Sequence, residues 1–393
     1  LAISIGSSKS ESKTVQTSDS ARGSTVAAGN NLNITATGAG PNSDITAQGS
    51  TLQAGNRVAL RAQDEIKLLA AKNTADQHST NKSQSGSIGI SIGTDGFLVT
   101  ASASGARGNA DGSDVTWTNT HVNAGNQVAM TSGGDTTVKG AVVQAPQITA
   151  NVGGNLNVES LQDTSKFDSK QQSIGGSISI GYGKMGGSFS ASKSKVDSDF
   201  ASVAEQSGFR AGDEGFNVNV ANNTDLKGGG ITSTQKAIDD NKNNFSTGAE
   251  LTTSDIQNQA SYKASSVGVS VGTGMSLDGK LAPQGTGTGF GKDSGNASST
   301  THAAISGVTG NKDTRTGDAE SGIKKIFDAD KVQKDINAQV AITQEFGRAA
   351  GKAVSNYSQT QRQELQAQLK KATTDEDKQA VQMKINDLNK EER

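Results

Sequence analysis

A period limits what this chain can fold into more than any other feature. The alternating run Ser87–Gly93 (Ser-Ile-Gly-Ile-Ser-Ile-Gly) returns as Ser177–Gly181 and Val267–Gly272, and a shortened copy stands at Ile3–Gly6. The glycines closing these runs, Gly6, Gly93, Gly181 and Gly272, lie 87, 88 and 91 residues apart. A second marker keeps the same register: Asp135–Gly140 aligns with Asn223–Gly228 and, more weakly, with Asp44–Gly49, glycines 88 and 91 apart. Self-similarity at one long period indicates stacked copies of a unit rather than a set of independent globules.

Between the markers the chain writes turns and short strands. Val26–Asn30 precedes Leu32–Ile34, Val122–Asn126 precedes Val128–Met130, and Phe209–Asp213 stands ahead of Val218–Val220. Further short alternating stretches lie at Val58–Leu60, Ile66–Leu68, Ile148 and Leu156–Val158. A corner glycine followed by three to five alternating residues is the signature of a β-helix rung. The expected fold is mostly β: an elongated, right-handed parallel β-helix with projecting Gly/Ser-rich β-hairpins, then an α-helical C-terminal segment. Hairpin copies are expected near 1–6, 85–104, 173–192 and 265–281, turning for example at Gly93-Thr94-Asp95-Gly96, with the polar run 7–25 as a surface excursion.

Composition agrees. Hydrophobic residues are 32% and aromatics 4%, too few for several bulky cores, while 48 glycines suit a thin aliphatic one. A net charge of −2 argues against disorder and gives no electrostatic reason to expect nucleic acid. Without cysteine there is neither a disulfide framework nor thiol chemistry. No apolar run approaches the roughly 20 residues of a membrane helix. The chain starts on Leu1 and ends inside a charged run, which reads as a piece cut from a longer polypeptide.

The periodic pattern supports a repeat domain over 1–291. Residues 292–318 are Ser/Gly/Thr/Asn-rich and read as a flexible linker, and 319–393 as helical. Ile323, Ile326, Phe327, Val332, Ile336, Val340 and Phe346 form a rough stripe. A second helical stretch is expected from Thr360, with Leu365 and Leu369, and a cap at Thr374; the two could pair as a helical hairpin, and Gln361–Arg393 would be a solvated face or a coiled-coil partner.

Chemistry-bearing motifs are few. Gly181–Gly186 fits G-x-G-x-x-G, but a strand rather than a helix is expected after it, so no dinucleotide is implied. Gly285–Lys292 misses the phosphate-loop pattern at Thr286 and Asp293. His78, His121 and His302 are far apart with no visible carboxylate cluster, so neither a metal site nor any other cofactor is expected. Asn33, Asn157 and Asn219 read as outward positions or amide ladders. No nucleophile–base arrangement stands out, and the chain reads as non-catalytic. The hairpins carry the one candidate site: Ile88, Ile90, Ile92, Ile178, Ile180, Val267, Val269 and Val271 share an aliphatic face. Two readings stand. Four hairpins could supply eight strands of a membrane barrel, or their Gly/Ser face could pack flat on neighbouring rungs, which the absence of aromatic girdles around Trp117 favours.

These landmarks resemble the second haemagglutinin repeat block of filamentous-haemagglutinin-like exoproteins, including the contact-dependent growth-inhibition effectors of Gram-negative bacteria. The match is carried by Gly133–Ala141, Val152–Asp163, Ala204–Gly208, Ala211–Gly215 and Asn223–Gly228, while Ser298–Thr301 and Ile326–Asp328 look like the start of the pretoxin region. The resemblance implies a two-partner-secreted protein of the cell surface, exported by an outer-membrane transporter. It implies action on a target-cell outer membrane or surface receptor and delivery of a C-terminal toxin. An adhesin shaft is the alternative.

Overall fold

In the computed structural model of the chain the described residues are 2–93, 96–181, 184–275, 281–371, 378 and 380–385. Short strands visit three parallel sheets in turn. Thr25–Ala28, Asn31–Ala36 and Ile45–Gln48 each start one sheet, and Thr51–Ala54, Arg57–Ala62 and Ile66–Leu69 lie directly against them. Four further coils continue in the same order, from Thr120–Ala124 to Leu251–Ser254. In-register stacking aligns like positions into columns: Val58, Val128, Ile148 and Phe216 on one sheet, Leu68, Val138, Val158 and Leu226 on another. All eight are buried to 1% exposure or less. Alternation places every second side chain inside, so four-residue strands suffice to build one continuous thin core.

The corners explain the second sequence marker. Gly49, Gly140 and Gly228 adopt φ of +56°, +61° and +56°, the left-handed conformation that side chains with a Cβ disfavour. Each closes the first of two coils in its repeat. Amide ladders run down other corners: Asn126 Nδ2 donates to Asn56 Oδ1 (2.6 Å), and Asn223 Nδ2 donates to Asn155 Oδ1 (3.1 Å). Asn219 joins a ladder with Asn151 and Asn217.

After every second coil the chain leaves as a long hairpin. The long strands are β1 (Ala2–Asp19), β2 (Ala71–Gly93), β3 (Gly96–Thr118), β4 (Gln162–Gly181), β5 (Lys184–Val203), β6 (Ile256–Met275) and β7 (Leu281–Thr301). They do not project as separate flaps. β3 pairs with β4 and β5 with β6, giving one seven-stranded antiparallel sheet in chain order. The spacing makes this possible: two coils advance about 9.6 Å, and so do the two strands of a hairpin, because every strand neighbour sits about 4.8 Å away.

β1 and β7 are the two ends of this sheet and do not pair with each other, so it is open and no eight-stranded barrel is closed. The polar run expected as an excursion is strand as far as Asp19, held by its pairing with β2. Residues 292–301, expected as linker, complete β7. The turn residues Thr94 and Asp95 lie outside the described residues.

Residues 320–325 form a strap across the base of the long sheet. The Ile323 N–H donates to Ser202 Oγ (2.8 Å), Lys325 pairs with Asp114 (3.1 Å), and the Phe327 ring meets those of Phe167 and Tyr262. Helix begins only at Ala329, ten residues later than expected, and runs unbroken to Lys371. Thr360–Leu369, expected to open a second helix, therefore continue the first, while the expected cap at Thr374 lies outside the described residues.

The helix packs on the Gly/Ser face of β6 and β7. Built Cβ atoms on Gly291 and Gly289 would each fall 2.4 Å from a helix carbonyl oxygen, those of Ile336 and Val340, and one on Gly287 would lie 3.0 Å from that of Gln344. Four helix residues rise about 6.0 Å and two strand residues about 6.7 Å, so each helical turn meets the next glycine. The Gly/Ser face thus receives a helix here, not neighbouring rungs.

Candidate functional site

Directly paired residues of an antiparallel sheet share a face, and the register therefore shows which side chains the long strands bring together. One row reads Ile3, Ile90, Val99, Ile180, Met185; the next reads Ile5, Ile88, Ala101, Ile178, Gly187. Closer to the coils come Ala103, Gly176, Phe189 and Val271, then Ile174, Ala191 and Val269. Val267 pairs with Phe290, and Ile92 with Phe97. All eight residues singled out in the sequence therefore lie on one face, on β2, β4 and β6, near the turns. They are exposed, from 36% at Val267 to 57% at Ile178.

The structure adds Ile3, Ile5, Phe97, Ile174, Met185, Phe189 and Phe290 to this surface, all exposed. The signal for them was present: each sits at the aliphatic phase of an alternation, as in Ser188-Phe189-Ser190-Ala191. What the sequence withheld was that β3 and β5 interleave with β2, β4 and β6 and fuse three small stripes into one patch. The result is one contiguous, exposed apolar surface on the sheet. The opposite face differs: Ser87 pairs with Ser102, and Ser177 with Ser188, through hydroxyl bonds of 2.7 Å.

The histidines and cavities offer no catalytic alternative among the described residues. Each histidine is partnered by a carboxylate: His78 by Asp111, His121 by Glu205 (3.0 Å) and His302 by Asp255 (2.8 Å). The Glu205 hydrogen bond raises His121 above its ordinary pKa, and burial opposes it. Burial pushes Glu205 up, but His121, Asn119 and Arg210 outweigh it and hold the carboxyl low. Among the described residues no group of three or more His, Asp or Glu is placed to hold a metal. A cavity of about 400 Å³ under the strap is lined by Phe167, Phe200, Phe327 and Lys325, with no nucleophile–base arrangement among them. Tyr182 and Gly183 of the G-x-G-x-x-G run lie outside the described residues, and the chain continues from there as strand β5, not as the helix that a dinucleotide needs.

The fold is a stack of parallel coils with a long hairpin after every second one, and residues 4–174 match the family model described as hemagglutinin repeat. The chain belongs to the CdiA-type, filamentous-haemagglutinin-like proteins. It is 42% identical over 288 residues to "Toxin CdiA" of Escherichia coli, an alignment covering 70% of this chain and 9% of that protein. It is 41% identical over 289 residues to "tRNA nuclease CdiA" of Escherichia coli (strain NC101), covering 71% and 9%. To "Deoxyribonuclease CdiA" of Yersinia pseudotuberculosis serotype O:3 (strain YPIII) it is 38% identical over 279 residues, covering 70% and 26%. The chain thus spans about a tenth of the length of the first of these relatives. No solved structure matches it. Among the described residues no helix is long and apolar enough to cross a membrane, which says nothing of spanning by strands.

Proposed function

We propose that this chain is a non-catalytic segment of a secreted cell-surface exoprotein of two-partner secretion. It acts in target-cell contact and in delivering a C-terminal toxin across the target outer membrane. The parent's partners are an outer-membrane transporter, a target membrane or surface receptor, and the toxin domain. The observation carrying the reading is the exposed aliphatic face of the long sheet, which sits where it can enter an apolar phase. The names of the relatives, toxins and nucleases, support a place within a delivery protein.

We take the coils to form a right-handed β-helix, the hand that parallel crossovers favour. We assign 1–301 to the repeat module, 302–328 to the connection and strap, and the residues from 329 to a helical segment.

The test is flotation of the purified chain with outer-membrane-like liposomes, against a variant combining Ile88→Asp, Ile90→Asp, Ile178→Asp and Ile180→Asp. Wild type should float and the variant, still folded, should not. If neither floats, the delivery reading fails and the adhesin shaft replaces it.

A further inference from the structure

The aliphatic face does not run the length of the sheet. Traced toward the coils, its next rows are basic. Glu11 pairs with Lys82, Lys82 with Arg107, Arg107 with Gln172, and Gln172 with Lys193, so these stand in one row beside Val267 and Phe290. The adjoining row holds Lys13, Asn109, Lys170, Lys195 and Lys292, and Lys9 lies one row nearer the tip. That places eight cations in three adjacent rows of one face (Lys9, Lys13, Lys82, Arg107, Lys170, Lys193, Lys195, Lys292), with Glu11 the one carboxylate in those rows. All eight are exposed. One row further the sign reverses at Asp111, Asp168 and Asp197. Lys170 and Lys195 reach back to Asp168 (3.4 Å) and Asp197 (2.8 Å).

The chain's net charge of −2 conceals this layering, because the residues that make the band come from several strands. Only the register assembles it. An apolar layer bordered by Lys and Arg matches the boundary of an anionic bilayer: acyl chains against the aliphatic rows, phosphate oxygens against the cations. A protein partner would need acidic groups arrayed at the strand spacing along an apolar ridge. A fluid lipid surface adapts to any such array.

We propose that this basic band binds the anionic headgroups of the membrane that the aliphatic face enters. It rests on the membrane reading above and adds a headgroup class to it: phosphate-bearing anionic lipid. Lys82, Arg107 and Lys193 are the three to test: they share the row that also holds Val267 and Phe290, and, like Lys9, Lys13 and Lys292, they have no carboxylate partner among the described ion pairs.

The experiment is flotation of the full 393-residue chain with vesicles of phosphatidylcholine alone and of phosphatidylcholine mixed with phosphatidylglycerol, at low and high salt. Each cation near an anionic surface contributes about fivefold in partitioning, so Lys82→Gln, Arg107→Gln and Lys193→Gln together should weaken binding to the anionic vesicles on the order of 100-fold. Binding to neutral vesicles should stay unchanged, and a Lys82→Arg, Lys193→Arg variant should behave as wild type. Raised salt should reduce the anionic preference. Equal wild-type binding to both vesicles, or an anionic preference that survives the triple substitution in a chain of unchanged melting temperature, overturns the headgroup proposal and leaves the aliphatic reading intact. Binding to neither overturns both.

Discussion

Replacing Gly289 and Gly291 by valine sets two effects of opposite sign against each other. Neither glycine has a positive φ, so the strand backbone accepts a side chain there. Valine on an isolated strand should stabilise it, by up to about 1 kcal/mol on strand-propensity scales. The helix decides otherwise. Cβ atoms at both positions would fall 2.4 Å from carbonyl oxygens of Val340 and Ile336, and backbone cannot rotate aside as a side chain can. The helix must rise by about 1 Å, which forfeits a quarter to a half of the contact energy along its seat. That seat buries Val332, Ile336 and Val340 at 3%, 0% and 9% exposure, each contributing about 1.5–3 kcal/mol. The loss is therefore about 1–4 kcal/mol, or roughly 5- to 1000-fold in the undocked population. Hydrogen exchange over Val332–Val340 measures it, with Gly86→Val as the control, since the nearest atom to a Cβ there is Ser102 O at 3.6 Å. Unchanged or slower helix exchange in the double variant would refute the close-approach reasoning.

The same geometry gives further expected outcomes. Gly140→Ala should lower stability by about 1–2 kcal/mol or more, because its φ of +61° disfavours a Cβ that would also lie 2.4 Å from Ala70 Cβ; thermal unfolding checks it. Phe216→Ala opens a cavity in a column buried to 1% and should cost about 3–5 kcal/mol, read by denaturant titration. His121 is raised from 6.5, so its contribution is complete below that pH and is lost as pH rises through the raised value; Glu205 is lowered from 4.5, so its contribution is complete above that pH and is lost on further acidification. The melting-temperature gap between wild type and His121→Gln should thus be widest between pH 4.5 and 6.5 and shrink on both sides. Deleting one coil, residues 141–161, leaves about 4.8 Å of rise between hairpins that need about 9.6 Å. Strand β3 should then lose its pairing to β4, seen as faster exchange over 98–115 with the coils still protected.

The coils were legible because their signals are local. Gly49, Gly140 and Gly228 sit at equivalent corners, and Val58, Val128 and Val218 fall on inward phases that a reader of the sequence can mark. The long sheet was legible only at its tips. In Thr74–Ser85 and Gly105–Thr116 polar residues occupy both phases, because both faces meet water there, so alternation vanishes while the backbone pairing continues. The pairings of β3 with β4 and β5 with β6 join strands from different repeats, and no local pattern encodes them. Composition misled at 292–301 for a related reason. Glycine and serine read as flexible chain when their partner is unknown, yet residues 292–301 pair with Ile256–Ser265 of β6, and a Cβ on Gly295 would fall 2.6 Å from the Tyr262 ring. The candidate face was legible in its eight residues and not in its extent.

The helix also distinguishes the two ends of the sheet. Thr343 Oγ1 donates to the Phe290 carbonyl (3.2 Å), and Gln339 Oε1 accepts from the Lys292 N–H (2.9 Å). Bonds within a hairpin alternate along the strand, and these two β7 residues share the phase that points away from β6. The helix therefore occupies edge groups that another strand would need. Carrying the same alternation through the registers from β7 to β1 puts Ser4, Gly6, Ser8 and Ser10 on the outward phase of the opposite edge. No bulge or proline blunts that edge, and among the described residues no strand lies against it. The two edges therefore differ: the helix covers that of β7, while among the described residues the outward N–H and C=O groups of β1 meet no strand. At β7 glycine makes this possible, since Cβ atoms on Gly289 and Gly291 would fall 2.4 Å from helix carbonyl oxygens.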